Sequence, residues 1–369
     1  MTKIVICSSP SHVVKVHGCL VQKGYSTKSF AIFQIIGVHR TALITAIRHT
    51  VSTLFPNALV IETPELPRDI DFNQPALITR LRDSFLSRLP TPLPTEIWSY
   101  CLYADAQKFV IESLPNAALL FYDDGIESYN QQIVRQTPLS RDRDLDAQFS
   151  ESFRPKGVMI RHLKRVKTAF LSLTSHLGIP AYLSEVPNQE MDLAVQRKSL
   201  EALGPHPMWL SPAERKSKSQ DSLWAVIVGS SLYRLNILTQ ESEEALYRDA
   251  VIHLLGLGYK VILKPHPRND NSRSILPLIT SSRDSLLIPT EMEMPLEWII
   301  LHRPVHLIAS LSSTSLLTLS DIHSAQPKVL CRSDPIFSTP PPEHVKRLHC
   351  NLPMLMIPST EHVIAQEAG

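Results

Sequence analysis

Short apolar runs rich in β-branched residues alternate with runs of helical period along most of this chain, and that alternation restricts it to a parallel α/β architecture. A strand that is apolar at successive positions reads as buried on both faces, which crossover helices achieve. In the first half, strand signals at Lys3–Cys7, Ser29–Val38, Ala58–Glu62, Glu96–Leu102 and Ala117–Tyr122 are separated by helical signals at Val13–Lys23, Arg40–Ser52, Pro75–Ser87 and Ala104–Ser113. That spacing suits right-handed βαβ crossovers. A second cycle opens with the apolar run 223–228, followed by a helix at Thr239–Leu255 whose first turn is rich in Glu241, Glu243 and Glu244, favourable at the positive end of a helix dipole. Strands at Tyr259–Lys264, Ser285–Ile288, Pro304–Ala309 and Lys328–Cys331 and helices at Met294–Leu301 and Ser313–Asp321 complete it.

Between the cycles, residues 187–221 carry Pro187, Pro205, Pro207 and Pro212 and end in the polar run Glu214–Asp221, which reads as an interdomain linker with one or two short helices. The expected organisation is therefore a domain at 1–186, the linker 187–221, a second domain at 222–342 and a tail at 343–369 with further helical signals at Glu343–Leu348 and Glu361–Gln366. The length of 369 residues agrees with two or three domains at about 150 residues each. The five cysteines include no Cys-x-x-Cys pair, which argues against a disulfide framework or a zinc knuckle. No apolar run approaches the roughly 20 residues of a spanning helix. The start lacks the apolar core of a signal peptide, so a cytoplasmic protein is expected.

Three strand ends carry chemistry. Asp123-Asp124-Gly125 follows the strand at Ala117–Tyr122, Lys264-Pro265-His266-Pro267-Arg268 follows the strand at Tyr259–Lys264, and Ser310-Leu311-Ser312-Ser313-Thr314-Ser315 follows the strand at Pro304–Ala309. Ligands of open α/β sheets bind beyond the carboxyl ends of strands, so an acid pair, a histidine fixed by two prolines and a hydroxyl cluster together suggest group transfer from a phosphorylated donor. Taken singly, each has a plain structural explanation: a surface β-turn, a satisfied histidine, an N-cap. Ser312, Ser313 and Thr314 stand where a strand enters a helix, a place suited to an anion. Gly229, with Ser230 and Ser231, is a candidate lip over a nucleotide, and the turn Ser9-Pro10-Ser11-His12 is expected on the acceptor side. There is no Asp-x-Asp after a strand and no His-Glu-x-x-His, so no metal and no cofactor is expected.

Arg154, Lys156, Arg161, Lys164, Arg165 and Lys167 interleave with Ile160, Leu163, Val166, Phe170 and Leu171 at helical spacing. This predicts a basic amphipathic helix over 160–171. Its cationic face is either solvated surface or a docking face for an anionic glycan acceptor or, peripherally, an anionic membrane. Nucleic acid is not an expected partner, because the aromatic residue belongs to the apolar face and the rest of the chain does not extend the patch.

The acid pair before glycine, the His-Pro dipeptide and the Ser-Ser-Thr cluster, in that order, resemble the signatures of the bacterial sialyltransferase and polysialyltransferase families, and Lys3–His12 resembles their first strand and turn. The resemblance implies a GT-B-like fold, two Rossmann-like domains facing a central cleft, with the acceptor on the amino-terminal side and a CMP-sugar donor on the carboxy-terminal side. It implies an inverting, metal-independent transfer of sialic acid or a related nonulosonic acid to a glycan acceptor of surface polysaccharide. Asp123 is then the base, supported by Asp124 and Gly125. His266 is the general acid or phosphate stabiliser, supported by Lys264 and Arg268. Ser312, Ser313, Thr314, Pro267, Gly229 and Glu297 serve the donor, Glu297 at the position that contacts the donor ribose, and His12, Arg161, Lys164 and Arg165 serve the acceptor. A Kdo or other sugar-nucleotide transferase on the same fold, an epimerase, and a non-catalytic glycan-binding protein remain the alternatives.

Overall fold

The computed structural model describes residues 2–25, 31–35, 41–62, 74–102, 104–124, 161–205, 223–230, 232–266, 272–281, 285–288, 294–301, 303–313, 315–332, 336–341 and 343–358. The chain divides into two compact units, Met1–Leu203 and Gly204–Gly369.

The first unit contains β1 (Lys3–Cys7), α1 (Pro10–Gln22), β2 (Ala31–Ile35), α2 (Thr41–Leu54), β3 (Leu59–Glu62), α3 (Pro75–Leu86), β4 (Glu96–Ser99), α4 (Asp105–Ser113), β5 (Ala118–Tyr122), β6 (Val166–Leu171), α5 (Thr174–Leu177), β7 (Asn188–Glu190) and α6 (Leu193–Glu201). Its seven strands lie in the order β3-β2-β1-β4-β5-β6-β7, every described pairing parallel. The order reverses between β1 and β4, which is where such sheets bind ligands. The apolar strands are covered on both faces: Ile4, Val5, Ile6, Ile32, Phe33, Ile97, Trp98 and Leu119 have no exposed surface.

The second unit repeats the plan with β8 (Trp224–Val228), α7 (Gln240–Gly256), β9 (Lys260–Lys264), α8 (Ser272–Ser281), β10 (Ser285–Leu287), α9 (Leu296–Ile299), β11 (Val305–Ser310), α10 (Ser315–His323), β12 (Gln326–Cys331), α11 (Glu343–Asn351) and β13 (Met354–Met356). Its strand order is β10-β9-β8-β11-β12-β13, again parallel, with the reversal between β8 and β11. Thr239 caps α7 by accepting the Ser242 N–H at 3.1 Å, and Gly258, at φ +82°, turns the chain out of it. Ala225, Ile227, Leu246, Ala250, Leu254, Val261 and Leu263 form the core between sheet and helices. Among the described residues no helix is long and apolar enough to cross a membrane.

Two expectations are corrected. The described residues of 160–171 do not form a basic amphipathic helix: residues 161–163 are helical, 164–165 turn, and Val166–Leu171 is β6. Its Val, Thr and Phe suit a strand, β5 and β7 pair with both of its edges, and Trp98 stacks on Phe170 with ring centroids 5.2 Å apart. Nor is 187–221 wholly a linker. β7 adds to the first sheet, and α6 packs on α1, where His17 Nδ1 meets Ser199 Oγ at 2.8 Å and Gly18 lies against Gln196. The helical signal at Glu361–Gln366 lies outside the described residues, whereas Met354–Met356 in the expected tail is an edge strand of the second sheet.

Candidate active site

Ser9 starts α1 immediately after β1 by accepting the His12 N–H at 3.3 Å, and Pro10 occupies the first turn, where its missing N–H costs nothing. His12 and Lys15, three residues apart, therefore share a helix face. That face meets the end of β5. Asp123 is fully buried there. Its carboxylate accepts the Ser172 N–H at 2.6 Å, lies 2.8 and 2.9 Å from the Ser172 hydroxyl, and pairs with the Lys15 ammonium at 2.7 Å. Lys15 also donates to the Asp123 carbonyl at 2.9 Å. A carboxylate held in this way joins α1, the end of β5 and the end of β6.

Asp124, next in the chain, has a side chain that is 43% exposed. His12 Nε2 lies 2.5 Å from Asp124 Oδ1. The Ser8 backbone N–H donates to His12 Nδ1 at 3.1 Å, so the proton of the neutral ring sits on Nε2 and is directed at the carboxylate. The ring is fixed on two further sides: Tyr100 stacks on it at 4.0 Å and Tyr122 meets it edge-on at 5.6 Å. Tyr122 is itself tied to β1, donating to the Ile6 carbonyl at 2.5 Å. Burial pushes both phenol groups up, which keeps them protonated donors. Thus Asp123, the base expected from sequence, is the buried partner of the pair, and His12, expected on the acceptor side, is buried and in contact with Asp124.

The other residues expected on the acceptor side differ in their surroundings. Arg165 donates to the carbonyls of Ile111, Leu114 and Ala117 at 3.2, 3.0 and 3.4 Å, satisfying the carboxyl end of α4. Arg161 pairs with Glu112 at 2.7 Å, and Lys164 is exposed in the turn before β6. They do not form one cationic helix face.

In the second unit, Gly229 and the His-Pro turn come together. The Gly229 N–H donates to the carbonyl of the buried Lys264 at 2.8 Å. A Cβ at Gly229 would lie 2.7 Å from the His266 nitrogen and 3.0 Å from Pro265 Cα, so only glycine lets the loop after β8 lie on the turn that carries His266. At the third motif, the Ser312 and Ser313 N–H groups donate to Ser310 Oγ at 3.3 and 3.1 Å, and the Ser315 N–H donates to Ser313 Oγ at 3.2 Å. Those backbone donors are thus engaged by the cluster's own hydroxyls, and what Ser312 and Ser313 present to an anion is their side chains and the helix dipole. Glu297, on α9, accepts from Thr318 of α10 at 2.9 Å, which seats it beside the same helix. Thr314, Pro267, Arg268 and Gly125 lie outside the described residues. Among the described residues no group of three or more His, Cys, Asp or Glu side chains is placed to hold a metal ion.

Sequence reasoning missed Lys15, Ser172 and Tyr100. Only the 3-residue spacing of His12 and Lys15 on one helix hinted at the first; the other two follow from which strands neighbour β5.

The sequence profile of the family described as Alpha-2,8-polysialyltransferase (POLYST) matches residues 3–332. No curated protein sequence matches the chain significantly. Among solved structures, the chain is similar to the GT-B domain of a sialyltransferase from Photobacterium damselae, at TM-score 0.51 and 13% identity over 96% of this chain and 100% of that one. It is also similar to Arabidopsis thaliana UGT89C1 complexed with UDP-L-rhamnose, at TM-score 0.55 and 13% identity over 98% and 87% of the two chains. A UDP-GlcNAc 2-epimerase from Methanocaldococcus jannaschii matches at TM-score 0.54 and 10% identity over 100% and 92%. At such identities these likenesses speak for a GT-B type of α/β fold.

Proposed function

Because this chain belongs to the alpha-2,8-polysialyltransferase family and is a glycosyltransferase with a nucleotide-sugar donor and a glycan acceptor, we propose that it transfers sialic acid, or a related nonulosonic acid, from a CMP-activated donor with inversion and without a metal ion. The observation that carries the reading is the half-exposed Asp124 carboxylate at the end of β5, oriented by the Nε2–H of His12. In the proposed reaction Asp124 takes the proton of the acceptor hydroxyl as its oxygen bonds to the anomeric carbon. The bond from that carbon to the CMP phosphate breaks on the opposite face, and its electron pair leaves with the phosphate. His266 stabilises or protonates the departing phosphate, and the Ser312 and Ser313 hydroxyls with the positive end of α10 neutralise its charge in place of a cation. Asp123 holds the loop that presents Asp124 and does not touch the substrate. Glu297 is assigned to the donor ribose, and the product joins surface polysaccharide made in the cytoplasm.

The test is isothermal titration of the full chain with CMP, UDP, GDP and ADP, with and without EDTA. CMP binding that survives EDTA is expected. Equal binding of UDP, or loss of CMP binding in EDTA, overturns the donor assignment.

A further inference from the structure

The serine cluster follows β11, and the peptide unit that joins Leu311 to Ser312 is held at both of its edges. Its N–H, that of Ser312, donates to Ser310 Oγ at 3.3 Å. Its carbonyl, that of Leu311, lies 3.1 Å from His349 Nε2 on α11. A carbonyl only accepts, so Nε2 carries the proton and Nδ1 of the neutral ring is an acceptor. Cys331 Sγ, at the end of β12, lies 3.8 Å from Nδ1 and supplies the hydrogen for it. Burial pushes the Cys331 thiol up and the His349 imidazole down, which keeps the thiol protonated and the ring neutral. Phe337 meets the ring edge-on at 5.3 Å, and the buried Val345 and Leu348 seat α11 on the unit.

A peptide unit is planar, and in the trans form its N–H and C=O point to opposite sides, so bonds at both edges fix the rotation of the whole plane. Leu311 has no exposed surface, whereas Ser312 and Ser313 are partly exposed. The held plane is therefore a buried support from which the Ser312 side chain emerges. We propose that His349 is a positioning residue for the donor phosphate: by holding the Leu311 carbonyl it fixes the peptide that carries Ser312, and through it the hydroxyl that meets the phosphate. The proposal rests on reading the serine cluster as the phosphate site of a CMP-sugar. A group that must meet a phosphate within a few tenths of an ångström gains from such bracing in binding and in the chemical step. Packing alone would ask only for a side chain of this size at position 349; positioning asks for a donor at the place of Nε2.

His349→Leu fills the space without a donor, and His349→Gln sets an amide N–H close to the place of Nε2–H. In titrations of the full chain with CMP, His349→Leu is expected to weaken binding about tenfold and His349→Gln by no more than about threefold, the scale of one hydrogen bond. On a Ser312→Ala background the hydroxyl being positioned is gone, so His349→Leu should weaken CMP by no more than about twofold further. The apparent KM for the CMP-sugar should rise in His349→Leu while that for the acceptor stays. Unchanged CMP affinity in His349→Leu, with the wild type binding CMP, overturns the positioning role and leaves the donor reading intact. His349→Gln as weak as His349→Leu, or the full loss repeated on the Ser312→Ala background, also overturns it, because both are marks of packing. If His349→Leu does not fold, His349→Asn, whose amide is too short to reach the Leu311 carbonyl, takes its place against His349→Gln. If the wild type binds a different nucleotide, the CMP assignment fails and the same comparison on that nucleotide decides the positioning role; if it binds none, both fail.

Discussion

Two adjacent carboxylates just beyond β5 meet two residues of one face of α1 and differ in burial, Asp123 having no exposed surface and the Asp124 side chain being 43% exposed. Lys15 and Ser172 hold Asp123; solvent and His12 reach Asp124. Asp124→Ala should therefore lower transfer by roughly 10²–10⁴, the usual contribution of a general base, with stability close to wild type. Asp123→Ala should act on folding. It removes the carboxylate that pairs with the Lys15 ammonium, whose side chain is 12% exposed, and breaking such a buried pair costs about 3–5 kcal/mol. Initial rates and urea denaturation of the two variants check this, and a stable, inactive Asp123→Ala would return the base to Asp123. Glu243 gives a second test at this scale. Burial raises its pKa above the ordinary 4.5 against the opposing hydrogen bond from Ser230. The folded protein then keeps a proton that the unfolded chain has released, so the contribution to stability is full below pH 4.5 and is lost as pH rises through the folded value. Glu243→Gln should flatten that fall in urea midpoints measured upward from pH 4.5; an unchanged slope would show that Glu243 does not titrate there.

Elements were legible where burial writes a continuous pattern. β1, β5, β8, β9 and β11 are predominantly apolar runs too long to be turns, and their order through the chain already implies parallel crossovers. The acid pair, the His-Pro turn and the serine cluster were legible as strand ends for the same reason. The short strands β7 and β13 were not: β7 reads Asn188-Gln189-Glu190, with nothing apolar to mark it, and β13 is only three residues close behind a helix, whereas β10, equally short, carries two leucines. The helix α8 was hidden by Pro277 inside it. β6 was misread because Lys164, Arg165 and Lys167 alternate with apolar residues in a way that satisfies a helical period as well as a strand one, and only the pairing with β5 and β7 decides. The cost of that ambiguity is measurable. A solvated basic helix would lose little from any Lys or Arg to Gln change. The structure instead predicts that Arg165→Gln costs about 1–2 kcal/mol in urea denaturation, since Arg165 is partly buried and serves three carbonyls at the end of α4. Lys164→Gln and Lys167→Gln, on exposed side chains, should stay within about 0.5 kcal/mol of wild type. Equal effects at all three positions would contradict the strand.

At the scale of the whole molecule, the chain contains two α/β units, each with its own sheet, its own strand-order reversal and its own set of loops at the carboxyl ends. The proposed chemistry divides along the same line. Proton removal belongs to the first unit, through Asp124 and His12, and stabilisation of the leaving phosphate belongs to the second, through His266 and the serine cluster. A division of this kind separates binding from turnover in a way that a single shared site would not. Asp124→Ala should leave CMP affinity near wild type while transfer collapses, because its carboxylate acts only on the acceptor proton. His266→Ala should lower turnover and weaken CMP together, by about 1–3 kcal/mol in binding, the range for a lost hydrogen bond to a charged group. Transfer rates beside CMP titrations of the two variants provide the check. If Asp124→Ala weakens CMP as much as His266→Ala does, the carboxylate belongs to the donor site and the assignment of the two units to acceptor and donor falls. If His266→Ala leaves CMP affinity untouched while turnover drops, the histidine meets the phosphate only as it departs, and its role narrows to that of an acid for the leaving group.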